Sequence, residues 1–97
     1  GTKNTDKDSY IYYIPEESAD NIYLVCDITE YDTTASGDKG IEVYVNDKLI
    51  GNIDSKGTTK LKIGYVSGDE LLTVKFHADN AEYTLYSISL DKGQAET

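Results

Sequence analysis

The sequence predicts an all-β protein, an antiparallel β-sandwich of jelly-roll-like form with about seven to eight strands. Apolar residues recur at every second position along most of the chain, the spacing of half-buried strands. The segments between them are short and rich in Gly, Asp, Asn and Ser, the residues that turns require. No window places apolar residues at three-and-four spacing over two helical turns, so at most SADN or SGDE forms a single turn.

The elements follow in order. SYIYYI opens the pattern with Tyr and Ile, which suit a pleated surface, and IPEESADN breaks it. In NIYLVCDIT, Ile22, Leu24, Cys26 and Ile28 share one face while Tyr23, Asp27 and Thr29 share the other. The long EYDTTASGDKG reads as a loop. After it, Ile41, Val43 and Val45 oppose Glu42, Tyr44 and Asn46, and the strand turns back at Asn46-Asp47 into LIGNI. DSKG leads to TTKLKIG, where Leu61 and Ile63 point inward and Lys60 and Lys62 outward. YVSGDE precedes LLTVKFHA, whose Leu72, Val74, Phe76 and Ala78 alternate with Thr73, Lys75 and His77. ADNA then leads to a closing EYTLYSISL. Strands with one wet face must bury the other, and two packed sheets do so while limiting exposed edges.

Ninety-seven residues suffice for one domain, which buries roughly 65% of the surface of its unfolded chain. The expected division is a disordered or tag-derived lead over 1–9, the sandwich over 10–92 and a tail over 93–97. Gly1 in place of Met and the polar opening GTKNTDKDS read as an excised piece of a longer protein. No run reaches the ~18 apolar residues of a membrane helix, and no segment resembles a signal peptide.

Nine Lys and no Arg against eighteen acids give a net charge of −9. Counterion release at phosphates needs a basic surface, so the charge argues against polyanionic partners, and nucleic acid is not expected. The lone Cys26 forms no internal disulfide and sits inward, as a small core hydrophobe with a thiol kept protonated. His77, the single histidine, lies on an outward face with no second imidazole to complete a transition-metal site. There is no Cys-His pair and no G-x-S-x-G elbow, so a nucleophilic triad lacks its parts.

Asp27, Glu30, Asp32 and Asp38 crowd one strand end and the following loop. Hard oxygen ligands of this kind bind Ca²⁺. They lack the alternating EF-hand pattern, and in so acidic a chain a solvated charge cluster is the plainer account. No cofactor is otherwise expected. The nine Tyr, against one Phe and no Trp, are the most unusual usage. Tyr23 and Tyr44 project outward, where a ring can stack on sugar or join a partner interface. Cross-strand packing is the plainer role.

The series VYVNDKLIGNI, TTKLKIGYVSGDELLTVKFHAD and YSISLD resembles the extracytoplasmic domain of YfhO-like bacterial membrane proteins. The matching positions are Tyr44, Val45, Asn46 and Lys48 in a hairpin; Gly64, Gly68, Asp69 and Val74 in the following unit; and Tyr86, Leu90 and Asp91 in a closing strand. Pro15, Tyr23 and Leu24 match a proline-led first strand. Asp47 stands where the family more often has Gly, and Asp also tolerates a left-handed turn. The resemblance implies a domain outside the cytoplasmic membrane of a Gram-positive-type bacterium. Its parent would be a membrane-embedded glycosyltransferase that decorates envelope polymers from a lipid-linked sugar. The family's catalytic carboxylates belong to its membrane region, so no catalytic residue carries over and the domain itself is expected to be non-catalytic. It would position an envelope glycan or a partner protein, with Tyr23, Tyr44 and Asn46 as the candidate surface. The hairpin and the G-rich unit are also similar to the galactose-binding-like jelly rolls of bacterial glycoside hydrolases, which implies a carbohydrate-binding module instead. A structural spacer is the third expectation.

Overall fold

The structure, a computed structural model, describes residues 8–33, 40–79 and 81–93, apart from the side chains of Thr33 and Asp79. It is the expected β-sandwich. Seven strands are formed: β1 (Asp8–Tyr13), β2 (Ala19–Thr33), β3 (Gly40–Val45), β4 (Lys48–Ile53), β5 (Gly57–Val66), β6 (Leu72–Asp79) and β7 (Ala81–Lys92). They make a four-stranded sheet of order β1-β6-β3-β4 and a three-stranded sheet of order β5-β2-β7. All pairings are antiparallel.

Between described strands the chain changes sheet at every connection except the β3–β4 hairpin. At that hairpin Asn46 (φ 49°) and Asp47 (φ 69°) both adopt the left-handed conformation, which matches the twist of the strands they join. Asn46 also ties the hairpin to β6. Its backbone N–H donates to the Thr73 carbonyl at 2.9 Å, and its side-chain oxygen accepts the Thr73 N–H at 2.9 Å.

The predicted inward residues form the core. Leu24, Cys26, Ile41, Val43, Phe76 and Ala78 are fully buried, with Ile22, Ile28, Val45, Leu72 and Val74 nearly so. Leu61 and Ile63 are partly buried against them. No buried side-chain nitrogen or oxygen among the described residues lacks a partner, as a stable core requires of its polar side chains.

Two boundaries differ from expectation. β1 opens at Asp8, one residue ahead of the expected SYIYYI strand. β2 runs to Thr33, through Glu30–Thr33, which the sequence assigns to a loop. The cause is a pair of bulges between β2 and β7. Asp27 pairs with Ser87, Ile28 with Leu85 and Glu30 with Thr84, leaving Tyr86 and Thr29 each as an extra residue. The second restores the register that the first shifts, and Tyr31 then pairs with the buried Tyr83. Loop residues by composition are thus held in the sheet by an aromatic pair that contributes to the core.

One close approach fixes the end of the sandwich. Gly68 donates its N–H to the Ser18 hydroxyl at 2.8 Å, and Asp69 donates to the Pro15 carbonyl at 2.8 Å. A Cβ on Gly68 would lie 2.8 Å from the Glu17 Cα, so only glycine lets the two segments touch.

Candidate functional site

The outer face of the four-stranded sheet is built by cross-strand register. Tyr10, Lys75, Tyr44 and Leu49 stand directly opposite one another across β1, β6, β3 and β4. Beside them Asp8, His77, Glu42 and Asn52 form a second row. Tyr12 and Thr73 start a third, which Asn46 continues through its hydrogen bonds to Thr73. Alternation along each strand brings these side chains to one side.

The central row is aromatic and cationic. The Lys75 ammonium lies 4.3 Å from the centroid of the Tyr44 ring. Tyr10 and Tyr12 have ring centroids 6.3 Å apart and planes within 6°, and they are 50% and 61% exposed. Each therefore turns one face toward the other and leaves the rest open to a ligand, while one face of Tyr44 is covered by Lys75.

In the neighbouring row His77 Nδ1 is 2.6 Å from Asp8 Oδ1, and its Nε2 is 4.0 Å from Glu42 Oε1. The two carboxylates meet opposite nitrogens of one ring, so they cannot converge with it on a single cation. The row is a cross-strand polar staple.

The sequence-predicted binding residues divide between the two sheets. Tyr44 belongs to the aromatic row, and Asn46 to the next row beside Tyr12 and Thr73, its side-chain oxygen committed to Thr73. Tyr23 lies on β2 in the other sheet, paired with Lys62 and Asp91. There it borders a shallow groove with Lys60, Lys92 and Gly93, and Lys60 and Asp91 form an exposed ion pair at 3.5 Å. Tyr23 therefore shares no surface with Tyr44.

Of the proposed metal ligands, Asp27 lies within β2 opposite Thr58 and Ser87. Glu30 and Asp32 follow beyond the bulge and line a polar groove with Lys56 and Glu82. Asp38 lies outside the described residues. Among the described residues no three His, Cys, Asp or Glu side chains come together to hold a metal. Burial pushes the Cys26 thiol from 9.0 up to about 12, because the low-dielectric core disfavours the thiolate.

Sequence reasoning missed Tyr10, Tyr12 and Lys75. The alternation in SYIYYI places Tyr10 and Tyr12 on one face, but nothing local indicates that β1 and β3 flank β6. The chain matches no protein-family model, curated protein or solved structure.

Proposed function

We propose that this chain is a non-catalytic extracytoplasmic domain of a YfhO-like bacterial membrane protein, and that the outer face of its four-stranded sheet positions an envelope polymer. The observation that carries the reading is the Tyr10–Lys75–Tyr44 row beside the exposed Tyr12. Ring faces stack on the apolar faces of sugars, so the row fits a glycan held by stacking, with Lys75 placed to meet an isolated phosphate on it; the net charge of −9 and the adjacent Asp8 and Glu42 weigh against a dense polyanion. The hairpin and closing-strand resemblance supplies the envelope context.

The test is retention of a purified, sparsely phosphorylated wall glycan on the immobilised domain. The expected result is retention by the wild type, its loss in Tyr10→Ala/Tyr12→Ala, and its persistence in Tyr23→Ala on the opposite sheet. Equal retention by all three, or none by the wild type, sinks the proposal. A neutral glycan retained by the tyrosines but indifferent to Lys75→Ala would instead support the carbohydrate-module reading, which the exposed Tyr10–Tyr12 pair also favours.

A further inference from the structure

The chain enters the described fold at one end of the sandwich and leaves it at the other. β1 runs from Asp8, opposite His77 near the end of β6, to Tyr13, opposite Leu72 at the start of β6. The start of β2 lies at the Tyr13 end, because Pro15 and Ser18, between β1 and β2, bond to Asp69 and Gly68 just ahead of β6. Lys92, the last residue of β7, pairs with Ile22 near that start of β2. Asp8 and Lys92 therefore mark opposite ends, and each belongs to an edge strand, β1 of one sheet and β7 of the other.

Tension along the chain draws Asp8 and Lys92 apart along the strand axes, sliding β1 past β6 and β7 past β2. Ladder hydrogen bonds run across the strands, so sliding loads all the bonds of a ladder together, whereas peeling opens them one pair at a time. β1 decides which occurs. While it stays paired, both terminal strands are loaded in sliding. Once it detaches, the pulling point moves to Ala19 at the start of β2, beside Lys92, and the β2–β7 ladder opens pair by pair from Ile22–Lys92.

Both points where load enters carry a tie across three strands. At one end the His77 ring of β6 meets Asp8 of β1 at 2.6 Å and Glu42 of β3 at 4.0 Å. At the other, Asp91 of β7 reaches across β2 to Lys60 of β5 at 3.5 Å, and Gly93 donates its N–H to the Asn21 carbonyl at 2.8 Å. We infer that the domain is a load-bearing link, carrying tension between whatever is joined to its two ends, with the β1–β6 ladder and its Asp8–His77 tie as the mechanical lock. This inference does not rest on glycan binding.

Optical-tweezer pulling of the intact chain in two geometries tests it. Handles at the two termini load β1, whereas handles at Asp20→Cys and the C-terminus bypass it and peel β7 from β2. Thiol attachment is selective, because residue 20 is exposed and Cys26 is fully buried. The expected result is a higher unfolding force between the termini than from residue 20. Forced unfolding reads the unfolding rate. Asp8→Ala should therefore shorten the dwell time at constant force by about threefold between the termini, the scale of one exposed pair, and leave the dwell time from residue 20 unchanged. Equal forces in the two geometries overturn the proposal, as does equal shortening by Asp8→Ala in both. If that variant fails to fold, the two forces of the Asp8-containing chain decide alone.

Discussion

Lys75 and Tyr44 stand directly opposite across the β6–β3 ladder, with the ammonium 4.3 Å from the ring centroid. An exposed cation–π contact of this kind contributes about 0.5–1 kcal/mol. An anionic ligand can therefore draw the ammonium off the ring at small cost, gaining the cation and uncovering the ring together. Lys75→Ala should lower unfolding stability by no more than about 1 kcal/mol in urea titrations. The same variant should weaken retention of the phosphate-bearing glycan, while Lys75→Arg keeps it. A large stability loss in Lys75→Ala would make the contact structural.

The hairpin supplies a second expectation. Asp47 holds φ 69°, a conformation that crowds a Cβ and that glycine adopts freely. Asp47→Gly should therefore raise stability by up to about 1 kcal/mol, relief of crowding outweighing the extra entropy of the unfolded chain. Asn46→Ala should do the reverse, by about 1–2 kcal/mol, because it strands the Thr73 N–H that Asn46 now accepts and places Ala in the left-handed region. Chemical denaturation of the two variants checks both signs.

The contrast between these features and the aromatic row shows where sequence reading stops. Alternation identified which side chains of β2, β3 and β6 enter the core, since period two is local and each face reports its own solvent exposure. The Asn46-Asp47 turn was legible for the same reason. Placing Tyr23 and Tyr44 on one surface failed because both are simply outward on their own strands, and outward means opposite directions in two different sheets. The order β1-β6-β3-β4 is set by non-local pairing, so the row joining Tyr10 to Lys75 has no local signature. Glu30–Thr33 misled by composition, since Asp and Thr suggest a loop while the Tyr31–Tyr83 pairing decides for the sheet.

Tyr86 shows a signal that was present but easily passed over. Tyr83 and Leu85 pack toward the core, and so do Ile88 and Leu90, an alternation that skips one residue at the bulge. Tyr86 is 74% exposed. Deleting it leaves Leu85 and Ser87 adjacent, which keeps both of their pairings with Ile28 and Asp27 and makes the alternation regular. Deleting Ser89 instead turns the residues on one side of it to the opposite face. Circular dichroism and thermal melting should find the Tyr86 deletion folded and the Ser89 deletion far less stable or unfolded.

Cys26 gives a pH dependence whose sign follows from its burial. The folded chain holds the thiol proton up to about pH 12, whereas the ordinary value is 9.0. Between these values the unfolded chain binds fewer protons than the folded one, so stability from this group is intact below pH 9 and falls as pH rises toward 12. At pH 10 the loss is roughly 1 kcal/mol. Other groups titrate in the same range, so the measurement is a difference: wild type should lose more stability between pH 8 and 10 than Cys26→Ala does. Cys26→Ala itself starts lower, because removing the sulfur leaves a small void in a site with no solvent exposure. In the wild type the thiol should react with iodoacetamide only at the rate of unfolding or local opening, and become fully reactive in denaturant. Rapid alkylation under native conditions, or equal pH slopes in the two proteins, would show that the core around Leu24, Cys26 and Phe76 admits water.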